Sequence, residues 1–239
     1  MTTATLPKRF FATASAGESE DGFVLLADGK PVRTPAGRPL AVPAKALAEA
    51  LAEEWNALGE RIDPQALPLT RLANTALDGT SIHRAAVEAD LLRHAEFDLL
   101  CYRADDPESL AARQAGLWDP LLAWAADALG VALTPGTGIT PVAQPADAIA
   151  AYRSAMAGLD DFALTAVHLV AALTGSLVLG FALLQGRLDA SGIYEAAHVD
   201  ETWQSERWGR DNEAEERLAR RRQEIGDAER FARLAAEQR

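Results

Sequence analysis

Residues 162–184 form an uncharged run that limits what this chain can fold into, and twelve of them are Leu, Val or Phe. A single helix over this run would be about 34 Å long, which is enough to cross a bilayer. Polar and small residues such as His168 and Gly175 interrupt the run, and no basic cluster flanks it to orient a span. We therefore expect the central helix of an all-α core, with His168 bonded to a neighbour, and keep a membrane-anchored protein as the alternative.

The overall charge limits the possible partners. The 239 residues include 35 acidic and 23 basic side chains, which gives a formal net charge of −12. That charge argues against non-specific binding to nucleic acid and to anionic lipid surfaces, because both would repel it. The single cysteine, Cys101, excludes an internal disulfide framework and a multi-cysteine zinc site. Residues 1–9 lack the apolar run of a secretory signal, so we expect none.

The first forty residues have the pattern of a small β unit. Asp28-Gly29 lies between two short extended runs, and this dipeptide is a strong signal for a β-hairpin. Pro31 and Pro39 cannot donate to a central ladder, so we place them at sheet edges. Residues 8–42 thus predict an antiparallel β unit that must pack against another element to be stable.

From Pro43 onward the apolar residues recur with a helical period. The fold class is therefore α+β, with a small antiparallel β domain over residues 1–42 and a larger all-α domain over residues 43–239. Ser81 is predicted to cap a helix, Pro120 to kink or break one, and residues 134–145 to form a loop. The predicted helices cover residues 43–58, 64–77, 81–100, 107–130, 146–158, 161–185, 189–208 and 211–236.

Two clusters of carboxylates and histidines raise the alternative of a metal-dependent enzyme in a helical bundle. Such sites take their ligands from facing helices at helical spacing. We expect no metal, because only two elements offer that spacing and the simpler interpretation is two solvated polar faces. Cys101 with His94 could form a nucleophile and base, but a lone cysteine beside two leucines is more often part of a core. The two clusters are Glu195, His198 and Glu201, and Asp90, His94 and Asp98.

The most unusual segment lies near the C-terminus, at residues 201–209. Trp203 and Trp208 are five residues apart among charged side chains, which is not a clean apolar stripe of a helix. An exposed tryptophan beside an arginine indicates an interaction hot spot. The alternative is that both tryptophans cover the open edge of the bundle. Beyond them, residues 211–236 place acidic side chains before basic ones, as suits a solvated helix.

Taken together, the motifs are similar to those of one family. In the order in which they occur, the sequence resembles the assembly chaperones of F-type ATP synthase that attend the alpha subunit of the catalytic head. The resemblance extends over most of the chain. The motifs are Lys8-Arg9-Phe10-Phe11, Asp28-Gly29-Lys30-Pro31-Val32, Thr34-Pro35, Leu40-Ala41-Val42-Pro43, Glu54-Trp55, Leu67-Pro68-Leu69-Thr70, Asp98-Leu99-Leu100-Cys101-Tyr102-Arg103, Arg113-Gln114, Trp118-Asp119-Pro120, Gly175-Ser176, Glu201-Thr202-Trp203-Gln204 and Trp208-Gly209.

This resemblance implies a chaperone with no catalytic residues and no cofactor. Its partner would be the unassembled alpha subunit, whose surface for the beta subunits it would shield until the head assembles. The family fold, a small β-containing domain before a larger helical one, agrees with the predicted change near residue 42. Eukaryotic members work in mitochondria, and the absence of an arginine-rich transit peptide here predicts a bacterial, cytoplasmic member.

The residues expected to contact the partner lie in the C-terminal region. The family has a functionally important acidic position there, and Glu201, Glu206 and Glu213 are the candidates for it. A chaperone needs a few aromatic anchors surrounded by polar contacts that can later be exchanged for the true partner. The predicted partner-binding residues are Glu201, Trp203, Glu206, Arg207, Trp208 and Glu213.

Overall fold

A computed structural model describes residues 6–20, 22–138, 140–209 and 211–237. The described chain begins with short strands and continues almost entirely as helices, which confirms the predicted fold class. It divides into two compact units, of which one comprises residues 1–82 with 230–239 and the other residues 83–229. The boundary predicted after residue 42 stays a prediction, and its first residues, 1–5, lie outside the described part.

The first unit contains the predicted antiparallel sheet. Strand β2 is central and pairs with all three other strands. The hairpin from β2 to β3 turns at Asp28 and Gly29, whose φ angles are 47° and 77°, so both turn residues take the left-handed conformation that suits a tight hairpin. The strands are β1 (Ala14–Ser19), β2 (Gly22–Ala27), β3 (Lys30–Pro31) and β4 (Ala41–Val42).

Helix α1 (Lys45–Asn56) packs on this sheet and also fixes the next helix, α2 (Pro68–Asn74). The Glu54 carboxylate accepts hydrogen bonds from the Leu69 and Thr70 amides at 2.7 and 3.0 Å, at the first turn of α2. The Trp55 indole donates to the Thr70 hydroxyl at 3.2 Å. Glu54 therefore supplies the cap that α2 cannot take from its own preceding residue, Leu67, and Trp55 holds the Thr70 side chain beside it.

The segment after α2 differs from the prediction. A π-helical stretch over residues 75–80 leads from α2 into helix α3 (Ser81–Glu96), which is kinked at His83, where φ is −117° and ψ is 29°. The prediction that Ser81 caps a new helix was wrong, because the chain is already helical there and the Ser81 hydroxyl donates to the Leu77 carbonyl. Ile82, the next residue, is exposed.

The second unit is a helical bundle built mainly from helices that follow one another closely. Phe181 and Tyr152 stack in its core, with ring centroids 5.9 Å apart. Within the loop predicted over residues 134–145, strand β6 (Gly136–Thr137) pairs in parallel with β5 (Tyr102–Arg103). The remaining helices are α4 (Glu108–Leu129), α5 (Ala146–Ala157), α6 (Asp161–Thr174), α7 (Leu177–Leu184), α8 (Ala190–Ala197), α9 (Val199–Trp208) and α10 (Asn212–Ala236), the last of which continues into the first unit.

The uncharged run forms two helices, α6 and α7, instead of the one predicted over residues 161–185. Gly175 ends α6 with a φ of +72°, and the Ser176 hydroxyl accepts a hydrogen bond from the Leu179 amide at 3.1 Å to begin α7. Half of the residues of α6 and nearly all of those of α7 are buried in the bundle. Among the described residues, no helix is both long and apolar enough to cross a membrane.

Two other helices also differ from the sequence-based prediction. The helix predicted over residues 189–208 is divided at His198, whose φ and ψ of −121° and 30° separate α8 from α9. By contrast, α4 continues through Pro120, where a kink or break was predicted. The missing amide of Pro120 costs α4 one hydrogen bond, while Trp118 and Leu121 on either side are buried and anchor the helix.

Candidate functional site

The two tryptophans singled out in the sequence lie on α9, and α9 is held by α4 beside it. The Trp118 indole of α4 donates to the Ala196 carbonyl of α8, just before α9, at 2.8 Å. The buried Gln114 amide group donates to the Asp200 carboxylate at 2.7 Å and accepts from the Ala104 amide at 2.8 Å. These bonds fix the position of α9, so the backbone that carries its outward-facing side chains is held in place.

Trp203 and Trp208 contact each other but differ in exposure. Their ring centroids are 5.6 Å apart with the planes at 79°, an edge-to-face arrangement. Trp203 is 7% exposed, whereas Trp208, the last residue of α9, is 73% exposed. Trp203 therefore belongs to the bundle, and it supports a ring that presents most of its surface to solvent.

Charged side chains surround the tryptophan pair. The Arg207 guanidinium lies 4.1 Å from the centroid of the Trp203 ring and donates to the Ser109 hydroxyl at 3.2 Å. Arg113 donates to both carboxylate oxygens of Glu206, at 2.7 and 3.1 Å. This hydrogen bond is the main cause that lowers the pKa of Glu206, and it also raises the pKa of Arg113.

The structure brings together four of the six predicted contact residues. Together with Arg113 of α4, they are called the α9 surface below, and the set is Trp203, Glu206, Arg207, Trp208 and Arg113. Glu201 is exposed on α9, and Glu213 is exposed in the first turn of α10.

Arg113 and Ser109 were not predicted as part of this site, although Arg113-Gln114 was among the motifs. They lie four residues apart on α4 and so share one face. The sequence carries no signal that this face meets α9, which is 93 residues further along at Glu206.

Residues of the two clusters considered above as metal ligands form hydrogen bonds within the fold. Asp98 is fully buried and accepts hydrogen bonds from backbone amides at the start of α7. Asp90 bonds the His168 Nε2 at 2.8 Å, and His198 bonds the Tyr194 carbonyl through Nδ1 at 3.0 Å. Within the described ranges, no group of three or more His, Cys, Asp or Glu side chains could hold a metal ion.

Cys101 does not have the properties of a catalytic nucleophile. It is buried, and burial together with the nearby Asp98 raises the pKa of its thiol to about 12. A thiol with this pKa stays protonated near neutral pH and is a poor nucleophile. Cys101 is therefore a core residue, which agrees with the simpler interpretation of the sequence.

The described part of the molecule thus combines a rigid helical scaffold with an exposed aromatic surface edged by ion pairs, and these are features of a protein that acts by binding. Comparison with known proteins identifies the kind of binding protein. Residues 8–126 match the family model described as ATP12 chaperone protein. The crystal structure of Atp12 from Paracoccus denitrificans is similar over 96% of this chain and 98% of its own, with 45% identity and a TM-score of 0.91.

Two further relatives agree with this match. A protein of Agrobacterium tumefaciens, whose crystal structure is described as that of a candidate chaperone, is 43% identical, with 96% of this chain and 86% of its own covered and a TM-score of 0.91. The mitochondrial protein atp12 of Schizosaccharomyces pombe is 25% identical over 221 residues, which is 87% of this chain and 76% of that protein. The chain belongs to the ATP12 chaperone family. It is an assembly chaperone of ATP synthase and not an enzyme.

Proposed function

We propose that this protein binds the unassembled alpha subunit of the ATP synthase catalytic head and shields the surface that later meets the beta subunits. Its place of action would be the bacterial cytoplasm. The partner follows from the family resemblance, and the mode of binding follows from the chemistry of the α9 surface. The observation that carries this proposal is the exposed Trp208 ring supported by the buried Trp203.

Such a surface suits a client that must later be released. An aromatic ring fixed in place contributes contact area at little cost in conformational entropy. Edge charges already paired within the chaperone, such as Arg113 with Glu206, keep their partners when the client leaves. A surface of this kind can cover apolar area on the client and still give way to a larger and more apolar subunit interface.

The first test replaces Trp208 by Ala and measures binding of isolated alpha subunit by biolayer interferometry. Loss of a central aromatic anchor costs 2 kcal/mol or more at a hot spot, so we expect the Kd to rise about 30-fold. Phe97→Ala is the matched control, because Phe97 is also a large exposed apolar residue of the second unit, at 58% exposure, but lies outside the α9 surface. Equal effects of the two substitutions, or none from Trp208→Ala, would contradict the role of this surface.

The acidic candidates are tested by charge reversal. Glu201→Lys and Glu213→Lys are expected to weaken alpha-subunit binding, whereas Glu96→Lys, at another exposed position, should leave it within about twofold. The partner itself is tested by aggregation. The wild-type protein should suppress light scattering by isolated alpha subunit and not by isolated beta subunit, and the reverse preference would contradict the proposal.

A further inference from the structure

A second exposed surface lies on the first unit, where the Lys8-Arg9-Phe10-Phe11 motif meets residues 58–62. Residues 7–9 and 60–62 run antiparallel, with the Arg9 amide donating to the Glu60 carbonyl at 2.8 Å and the Ile62 amide to the Pro7 carbonyl at 2.9 Å. These two bonds flank the pair Lys8 and Arg61. Lys8 and Arg61 therefore form a non-hydrogen-bonded pair, the type of antiparallel pair in which the two Cα atoms lie closer together.

This pair places two positive charges side by side. Like charges directly opposite each other on paired strands repel, so the arrangement weakens the local fold. Within the part of the chain that the structure describes, no carboxylate is close enough to Lys8 or Arg61 to form an ion pair. The Arg61 guanidinium donates to the Leu6 carbonyl at 2.6 Å, which holds it on this face. An anion bound between the two side chains would remove this repulsion.

Arg9 has a different role, which is to fix the segment. Its guanidinium donates to the carbonyls of Phe11, Leu58 and Ala12, at 3.1, 2.6 and 2.7 Å, and lies 4.5 Å from the centroid of the Phe11 ring. All three of its nitrogens are thus used within the protein. The consequence is that Lys8 and Arg61, and not Arg9, offer free donors on a rigid support.

An exposed aromatic ring completes this face. Phe10 is 70% exposed, yet its ring meets those of Phe11 and Trp55 edge-on at 5.6 and 6.4 Å. A cavity of about 610 Å³ opens beside Phe11. Three of its lining residues are cationic and one is acidic, and the set is Lys8, Arg9, Arg61, Glu60, Phe11 and Gly59. Below, the Lys8–Arg61 face means Lys8, Arg9, Phe10, Phe11 and Arg61.

We propose that the Lys8–Arg61 face binds an extended acidic protein segment in which an apolar side chain adjoins the carboxylates. Two acidic residues at alternate positions of an extended chain point the same way and lie about 7 Å apart, which allows one to reach each cation. Phe10 then takes the apolar side chain. The proposal concerns a surface of the first unit and does not depend on which subunit the α9 surface binds.

A peptide fits better than the other acidic macromolecules. Nucleic acids and anionic membranes carry extended charge that the net charge of −12 repels, and two free cations give few of the contacts that such ligands need. A short acidic segment meets only the local charge.

The test uses a fluorescein-labelled nonapeptide with three Asp residues at alternate positions and one Phe, with fluorescence anisotropy on the full chain at low salt. Lys8→Glu/Arg61→Glu should weaken binding about tenfold or more, and Phe10→Ala about threefold. The matched control is Lys30→Glu/Arg71→Glu, because Lys30 and Arg71 are also exposed in the first unit and the change in net charge is the same. Circular dichroism and urea unfolding verify that each variant is folded.

Three results would overturn the proposal. The first is equal weakening by the two double variants, which would mean a general effect of net charge. The second is equal binding of a peptide with Asn in place of Asp. The third is tighter binding of oligothymidylate or of phosphatidylglycerol vesicles than of the peptide at the same salt. Trp208→Ala should leave peptide binding unchanged, so this proposal and the alpha-subunit proposal fail separately.

Discussion

At the scale of single residues, the half-buried Glu54 and the buried Asp98 use their carboxylates as helix caps and not as ion-pair partners. Glu54 binds the first amides of α2. Asp98 accepts from the Leu177 and Val178 amides at 2.8 and 3.2 Å and from the Leu100 amide at 3.1 Å. Burial raises the pKa of Asp98 to about 6, against the hydrogen bonds that lower it. The carboxylate therefore joins the turn after α3 to the start of α7 at an electrostatic cost.

This cost predicts a pH dependence of stability. The pKa of Asp98 is higher in the folded state than in the unfolded chain, so the folded state binds the proton more tightly. Its contribution to the free energy of unfolding is then largest near pH 4 and is lost as the pH rises through about 6. Relative to Asp98→Asn, the wild type should gain about 2 kcal/mol between pH 7 and pH 4, measured by urea unfolding.

Asp90→Asn is the control, because the pKa of Asp90 is shifted in the opposite direction to that of Asp98. The hydrogen bond from His168 is the main cause that lowers the pKa of Asp90. Its stabilising contribution is thus present at neutral pH and is lost on acidification. The quantity compared is the difference in the free energy of unfolding between the wild type and each variant. If this difference changed with pH in the same direction for both variants, burial would not be the dominant effect on the pKa of Asp98.

At the scale of elements, helix ends were harder to predict than helices. The period of apolar residues correctly indicates helices over residues 161–185 and 189–208, but each segment holds two helices. The break between α6 and α7 depends on caps, and the cap of α7 includes Asp98, which is 79 residues away from Leu177. A local pattern carries no information about a partner so distant. The candidate site shows the same limit, because the tryptophans stood out in the sequence whereas Arg113 did not.

The break between α6 and α7 gives a prediction for single substitutions. Gly175→Ala should destabilise the protein by about 1 kcal/mol, because the left-handed conformation at φ +72° strains a residue with a Cβ. Ser176→Ala should cost about 1 kcal/mol through loss of the cap to Leu179. Both are measured by urea unfolding.

Gly116→Ala provides the matched control for Gly175→Ala. Gly116 lies inside α4, and a Cβ there meets no atom within 4 Å. The substitution should stabilise the protein by about 0.5–1 kcal/mol, since alanine is the better helix former. Stabilisation by Gly175→Ala of similar size would mean that the break is not set by this glycine.

At the scale of the whole molecule, the net charge of −12 and the two exposed surfaces have separate roles. A high charge of one sign keeps molecules of a chaperone apart in solution while they bind a client that exposes apolar surface. The α9 surface is aromatic with mixed charges, and the Lys8–Arg61 face is locally positive. The overall charge therefore argues against polyanionic ligands, whereas the local side chains decide what each surface binds.

The dependence of binding on salt should differ between the two surfaces. Raising the concentration of NaCl from about 50 to about 300 mM shortens the range of charge interactions to a few ångströms. We expect binding of the acidic peptide to weaken about tenfold, because it depends on Lys8 and Arg61. Binding of the alpha subunit should change by less than threefold, because it depends on Trp208. Isothermal titration at the two salt concentrations measures both, and a collapse of alpha-subunit binding at the higher one would contradict this assignment.

The interruption at Gly175 and Ser176 also has a consequence for how this apolar sequence could meet a bilayer. As one helix, the 162–184 segment would be long enough to cross the hydrocarbon core. Divided between α6 and α7, it yields helices of 14 and 8 residues, about 21 and 12 Å long, and neither alone reaches the roughly 30 Å that a span requires. The glycine and serine thus set more than a turn in the folded bundle, because they also limit how deeply either helix could enter a membrane.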